Sequence, residues 1–497
     1  MYHPSREEFV KKARQGNLIP VYKELLADLE TPASAFLKLS QGEYSYLLES
    51  VEGGEFLARY SFLGSRPALV FQSRGKEVKI IRGKRVKKIK SPDPLGQLKR
   101  LMQQYKFVPV EGLPRFCGGL VGFMGYDMVR FFEKIPDSNP DDLNLPDCLF
   151  LLTDTILIFD HSNHIIKLIN NVHLKGKKSS ERTLQAYEKA IEKIEDIAAR
   201  LKRPLTKPPR PTVRLKKRLK VKSNLTEKRF TGLVNAAKAY IREGEIIQAV
   251  LSQRFAVKFS ASPFDIYRAL RSINPSPYMF YLKLKDFHLV GSSPELFVRC
   301  EENEVAVRPI AGTRRRGRDE REDKKLASQL LADPKERAEH IMLVDLGRND
   351  IGRVAKFGSV QLKELMVIEK YSHVMHIVSE VKGILRRDKD IFELIKACFP
   401  AGTVSGAPKI RAMEVIDDLE NVRRGPYAGL VGYFSFSGNL DSCITIRTIL
   451  VKDKTAYIQA GAGIVADSLP QREYQETRNK ARAQVLALEL AEKGNLI

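Results

Sequence analysis

The stretch Gly461–Lys480, GAGIVADSLPQREYQETRNK, sets Glu473 and Glu476 three residues apart behind a Gly-Ala-Gly turn and Pro470. The segment Asp333–Asp350, DPKERAEHIMLVDLGRND, repeats the theme with Glu336 and Glu339. Residues at i and i+3 share one helix face, so each segment can aim two carboxylates into one cleft. A divalent cation held between them would in turn hold an anionic substrate. The dull alternative is a pair of solvated helix faces, each with Arg and Lys nearby. Both pairs, however, adjoin apolar runs, IMLVDL and GAGIV, which imply burial. Buried carboxylates need compensation, and hydrated magnesium supplies it while taking only one or two protein carboxylates.

Other residues carry chemistry with less certainty of purpose. Arg447 in SCITIRTIL alternates with Ile444 and Ile446 in an apolar run expected to be one strand. It suits either a structural salt bridge or bidentate capture of a carboxylate. His376 in YSHVMHIV reads as a satisfied core histidine or a catalytic one. The turn at Gly461–Gly463 lacks the third glycine of a dinucleotide fingerprint, but its amides can form an anion nest. AGTVSGAPK (Ala401–Lys409) has glycines too close for a P-loop and no Lys-Ser/Thr; Ser405 and Pro408 suit the start of a helix instead.

The elements that must position these residues alternate between helices and hairpins. SERTLQAYEKAIEKIEDIAARL (Ser180–Leu201) is a helix with Ser180 as its expected cap, and Leu225–Glu245 another with Thr226 in that role. Strands are expected at YSYLLES, ALVFQS, GGLVGFMGYD, LFLLTDTILIFD and HIIKLINNV. Further along they fall at IIQAVLSQRFAVKF, PYMFYLKL and HLVGSSPELFVRC, then at GLVGYFSFSG, SCITIRTILV and TAYIQAGAGIV. YSHVMHIVSEV fits strand or helix. Regular βαβ punctuation is missing, so the fold class is α+β rather than a parallel Rossmann sheet. The expected division is an α+β region 1–201, a basic Pro-rich linker 202–224, and a region 225–497 that holds the chemistry.

The 497 residues, with 43% hydrophobic and 29% charged, suit a soluble globular protein of more than one domain. The most apolar window, Cys148–Phe159, is short and interrupted by Asp154, so no membrane span is expected. The charged N-terminus, MYHPSREEFVKKARQ, points to the cytoplasm. Five scattered cysteines without a CxxC pair read as reduced buried thiols. The net charge of +24 invites a nucleic-acid partner. Its excess sits largely in Arg74–Lys90, read as an exposed hairpin turning at Arg82-Gly83, and in Lys202–Lys222. Neither comes with a zinc finger, stacking motif or helix-turn-helix, so a solvated surface and linker is preferred and no nucleic acid is expected.

Taken in order, LLES (47–50), RYSFLG (59–64), NPSPYMFY (274–281), GSSPELF (291–297), RPIAGTRRRG (308–317), EHIMLVDLGRND, YSHVMH, GTVSGAPKIRAME, GPYAGLVGYF, ITIR, QAGAGIVADS and ETRNKA form a specific set. The set resembles the chorismate-utilising enzymes, in particular their anthranilate synthase large-subunit branch, from about Tyr44 to Ala483. The resemblance implies a sandwich of antiparallel sheets flanked by helices, with magnesium on Glu339 and Glu476. It implies chorismate contacts at Gly312, Thr313, Tyr427, Arg447 and the turn Gly461-Ala462-Gly463. It places the general acid at Glu295 and a histidine for pyruvate loss at His376. Two positions separate the branches: Ala311 stands where aminodeoxychorismate synthases carry a nucleophilic lysine, and Gln248 where water-adding relatives carry a lysine base. Both favour ammonia as nucleophile. The resemblance further implies a separate glutamine amidotransferase partner. It also implies tryptophan as a feedback inhibitor at Glu49, Ser50, Pro277, Tyr278 and Met279, with Cys443 nearby. Aminodeoxychorismate, isochorismate or salicylate synthesis is the enzymatic alternative, and a basic nucleic-acid-binding protein the non-enzymatic one.

Overall fold

The computed structural model describes residues 1–51, 59–176, 179–205, 219–371 and 374–494. Most of the expected linker, including Pro208, Pro209 and Pro211, lies outside them, as do Ser372 and His373. The described residues build two antiparallel sheets, one of 13 strands and one of 12.

Side-chain alternation shows how the sheets stack. In the strand Cys148–Thr153, Cys148, Phe150 and Leu152 face one core while Leu149 and Leu151 face another. In the next strand, Thr155–Asp160, Ile156 and Ile158 share the core of Leu149 and Leu151, whereas Leu157 and Phe159 point outward. The shared core is therefore the middle of a sandwich, and each sheet has a second apolar face to cover. Over the larger sheet lie helices Ser180–Leu201, Pro263–Ile273 and Pro470–Lys493. Over the smaller lie Pro94–Met102, Pro334–Gly352 and Ile391–Cys398. The expected α+β sandwich flanked by helices is what forms.

Three runs expected as continuous strands in fact change sheets partway. LFLLTDTILIFD passes over at Asp154. HLVGSSPELFVRC breaks at Pro294 and Glu295, between Phe287–Ser293 in one sheet and Leu296–Glu301 in the other. SCITIRTILV breaks between Leu440–Ile444 and Thr448–Lys452, so Arg447 lies in a crossing and not in a strand. Its φ of 50° is a left-handed conformation uncommon for a side chain of this size. Proline at position 294 has no N–H for a ladder, which suits the second break.

Smaller expectations shift by a residue. The helix at Ser180 is capped by Ser179, whose Oγ accepts the Arg182 N–H at 3.3 Å, and not by Ser180. Thr226 caps Glu227–Arg242 as expected. The basic hairpin pairs Arg82 with Arg85 and so turns at Gly83-Lys84, at the rim of the smaller sheet. The ambiguous YSHVMHIVSEV yields a strand, Val374–Ile384. Pro408 opens the helix Lys409–Leu419. All five cysteines are free and buried. Among the described residues no helix is long and apolar enough to cross a membrane.

Sequence on both sides of 202–224 is woven into both sheets. Tyr44–Glu49 pairs with Tyr278–Leu284, and Gly119–Met124 with Leu430–Ser435.

Candidate active site

A cavity of about 610 Å³ lies beside the Glu295 and Arg447 crossings, walled by the two acidic helices. These crossings run side by side, tied by the Ile444 N–H to the Glu295 carbonyl at 3.0 Å and the Ser292 N–H to the Arg447 carbonyl at 3.3 Å. A strand held in a ladder spends its amides on its neighbours. The breaks free the backbone to turn Glu295 and Arg447 toward the cavity.

Glu295 is buried, and burial pushes its carboxyl up to about 7. It therefore holds a proton near neutral pH, as a general acid must. Arg447 donates to the Lys480 carbonyl rather than to a carboxylate, which leaves the rest of its fork for an anion. Burial lowers its pKa from the ordinary arginine value.

Glu336, Glu339, Glu473 and Glu476 all line this one cavity. Asp333 caps the first helix by accepting the Lys335 and Glu336 amides at 3.1 and 3.3 Å, which fixes where that helix starts. Burial, reinforced by the Glu339 charge, raises the Glu336 carboxyl. Burial likewise raises Glu473. Glu476 accepts from Lys480 Nζ at 2.6 Å, and the same ammonium reaches the Gly461 carbonyl at 3.0 Å. Glu339 accepts from Gln248 Nε2 at 3.1 Å, while Gln248 Oε1 is buried without a partner among the described residues. No cluster of three or more His, Cys, Asp or Glu suited to a metal occurs among the described residues. A magnesium ion that takes one or two carboxylates and fills its shell with other oxygens fits Glu339 and Glu476; a zinc ion needing more protein ligands does not.

The run Gly461–Gly463, expected as a turn and an anion nest, instead lies inside the strand Thr455–Ile464, paired with Gln248–Lys258, and its glycines are explained by close approach. A Cβ at Gly461 would sit 2.7 Å from the Tyr427 hydroxyl, and one at Gly463 2.6 Å from Gln248 Nε2. Ala462, expected among the substrate contacts, instead faces a core with Phe230, Leu251 and Ile464 and pairs with Leu251, so it does not line the cavity. Across the cavity Gly312 forms a bulge at φ 65°, where a Cβ would lie 3.1 Å from Glu336 Oε2. His376 Nδ1 is 2.9 Å from the Gly312 carbonyl and 3.1 Å from Thr313 Oγ1. A carbonyl only accepts, so Nδ1 carries the proton and Nε2 is left as the basic nitrogen. Burial lowers the His376 pKa, which keeps the ring neutral.

A second cluster gathers apart from this cavity. Glu49 pairs across the sheet with Met279, and its carboxylate accepts from the Tyr267 hydroxyl and from Arg271 Nε at 3.1 Å. Ser50 follows directly, and the Val51 N–H reaches the Ser276 carbonyl at 3.3 Å beside buried Pro277. Tyr278 pairs with Ser293, and Cys443, fully buried, with Leu296. Those two pairings bracket Glu295.

Sequence reasoning singled out neither Lys480, Thr403 nor Gln459, which also line the cavity. Lys480 was findable, since it stands four residues after Glu476 on the same helix face. Thr403 and Gln459 gave no such signal.

A family model described as chorismate binding enzyme matches residues 43–485. The chain belongs to this family of chorismate-utilising enzymes. It is 50% identical over 495 residues to anthranilate synthase component 1 of Acetivibrio thermocellus, covering 99% of each chain. Against the component 1 of Aquifex aeolicus it is 49% identical over 98% of each. The crystal structure of anthranilate synthase component I from Streptococcus pneumoniae superposes with a TM-score of 0.76 at 37% identity, covering 93% of this chain and 99% of that one. An isochorismate synthase from Escherichia coli shares the fold with a TM-score of 0.71 at 18% identity, over 97% of this chain and 98% of that one.

Proposed function

We propose that this chain is an anthranilate synthase large subunit that joins ammonia to chorismate and releases anthranilate, pyruvate and water, the entry step to tryptophan. The observation that carries this reading is convergence. Glu295, His376, Gln248, Tyr427, Arg447, Gly461, Gly463 and the carboxylates of two helices line one cavity, though they come from elements scattered over the chain.

The chemistry follows from their environments. Arg447 and the strand backbone at Gly461 and Gly463, where the missing side chains leave room, receive the substrate's carboxylates. Glu339 and Glu476 would hold magnesium, which supplies a positive centre for the ring carboxylate. Neutral Glu295 gives its proton to the hydroxyl at ring carbon 4 as the carbon–oxygen bond breaks, so water leaves. Ammonia adds at carbon 2, the double bonds shift, and loss of one N–H proton to solvent leaves aminodeoxyisochorismate. Gln248 donates to Glu339 and keeps its carbonyl oxygen open, which suits an N–H of the incoming amine. Neutral His376 then accepts the proton from carbon 2 through Nε2. The enolpyruvyl carbon–oxygen bond breaks, pyruvate departs, and the ring becomes aromatic.

The numbering of the relatives as a first component supports a glutamine amidotransferase as the partner that delivers ammonia. The cluster of Glu49, Ser50, Pro277, Tyr278, Met279 and Cys443 is proposed as the tryptophan site, where the Glu49 carboxylate would meet the amino group. In this reading residues 1–201 supply Glu49 and Ser50, and residues 225–497 the catalytic groups. The test is to mix purified protein with chorismate, magnesium and ammonium near neutral pH and follow anthranilate fluorescence. A product without nitrogen would transfer the chain to isochorismate or salicylate synthesis, and untouched chorismate would end the enzymatic reading.

A further inference from the structure

Four residues that line the cavity lean on one ion pair that does not line it. Arg424 and Glu420 are 2% and 6% exposed. Arg424 Nε donates to Glu420 at 3.0 Å and Nη2 to its other oxygen at 2.6 Å. Nη1 reaches the Val404 carbonyl at 2.7 Å, and Nη2 the Val250 carbonyl at 2.6 Å. The guanidinium lies over the rings of Tyr126 and Tyr427, 4.7 and 5.5 Å from their centroids. Glu420 also accepts the N–H and the hydroxyl of Ser252, both at 2.8 Å. That hydroxyl accepts from Gln459 Nε2 at 2.9 Å. Val250, Val404, Tyr427 and Gln459 all face the cavity.

A buried pair of this kind seldom adds net stability, because desolvating both charges offsets their attraction. Its use is better sought in what it holds. The planar fork reaches two carbonyls and a carboxylate from one point, which a lysine ammonium with three donors on a flexible stem does not reproduce. The strand Gln248–Lys258, the turn Gly402–Val404 and the Tyr427 ring all meet at the Arg424 side chain, which the cavity leaves untouched.

We propose that Arg424 and Glu420 are the positioning pair of the active site, registering these three walls against one another and so setting affinity for the substrate. The inference rests on the chorismate reading. Tyr427 is the pivot: its hydroxyl occupies the space beside Gly461, so a tilt of the ring opens or closes the glycine wall.

The decisive variant is the double substitution Arg424→Met with Glu420→Leu, which removes both charges together and leaves neither unpaired; its melting temperature is expected to fall, because the Val250 and Val404 carbonyls and the Ser252 N–H lose their partners. Its KM for chorismate should rise by roughly 10- to 100-fold while kcat falls less than about threefold, as misplacement of binding walls predicts. Arg424→Lys should raise KM as well, since charge alone does not restore the fork. Adding Tyr427→Phe to Arg424→Lys should cost about tenfold less than the two effects multiplied, because both act through one ring. A double variant with unaltered KM reduces the pair to a structural feature and overturns the proposal. Should that variant not fold, purely multiplicative effects of Arg424→Lys and Tyr427→Phe overturn it instead. The unaltered protein assayed alongside separates the two levels: no anthranilate from it sinks the reaction itself, whereas anthranilate with an indifferent variant sinks only the role of the pair.

Discussion

Two buried glutamates stand one strand apart in this molecule and live in opposite chemical worlds. Glu49 ends the strand Tyr44–Glu49, and Glu295 follows the strand Phe287–Ser293; Tyr278–Leu284 lies between and pairs with both. Glu49 is matched by the Arg271 guanidinium and the Tyr267 hydroxyl. Among the described residues Glu295 makes no ion pair, and its carboxyl rises to about 7 because burial outweighs the Thr403 hydroxyl and the charge of Lys480. Similar burial thus leaves an ion-paired carboxylate in one place and a carboxyl with a raised pKa in the other. The supply of a cation decides between them.

The contrast is most exposed at Glu295. Changing it to Gln should lower ammonia-dependent anthranilate formation by roughly 10²- to 10⁴-fold, the usual weight of a general acid. The same change should stabilise the protein above neutrality. In the folded state the carboxyl keeps its proton up to about 7, against 4.5 for the ordinary group. Folding therefore takes up a proton between those values, and stability falls as pH rises through that window. Glu295→Gln removes a penalty on the order of 3 kcal/mol above pH ~7 and none at pH ~4. Calorimetry of both proteins across this range checks the sign, and a variant that melts lower at alkaline pH would contradict it.

Weaker effects sharpen the comparison further. Glu339→Gln or Glu476→Gln should raise the magnesium needed for half-maximal rate by at least about tenfold, measured by titrating metal into stripped protein. The rate per unit of uncharged ammonia should drop about tenfold for each pH unit above ~7, as Glu295 loses its proton. A profile flat through that range would deny Glu295 its acid role. Glu49→Gln should weaken tryptophan inhibition by about five- to tenfold, read as the tryptophan that halves the variant's own rate.

Much of the site was legible because helix periodicity is local. The two E-x-x-E pairs and Thr226 as a cap declare themselves within a few residues, whereas Gly461 and Gly463 read as a turn and lie in a strand. The sheet changes at Asp154, Glu295 and Arg447 were not legible, since both faces of both sheets are buried on either side and polar breaks as short as TDT, SSPE and TIRT do not say that the chain changes sheet. Arg447 consequently looked like one more alternating residue of a strand. Its left-handed backbone, which aims it, has no signature in ITIR. Arg424 was equally silent: in NVRRGPY it reads as one of two surface arginines. Its burial depends on Val250, Val404 and Ser252, which are remote in sequence or contribute only backbone or hydroxyl groups.

The interleaving of early and late strands carries a cost during synthesis. When Tyr44–Glu49 and Gly119–Met124 leave the ribosome, their partners Tyr278–Leu284 and Leu430–Ser435 have yet to be translated. At ordinary elongation rates the delay is on the order of tens of seconds. Throughout it, two apolar ribbons present open hydrogen-bonding edges to every neighbouring nascent chain. The finished sandwich closes only when its last strands arrive, so such a protein depends on chaperone cover more than its final compactness suggests.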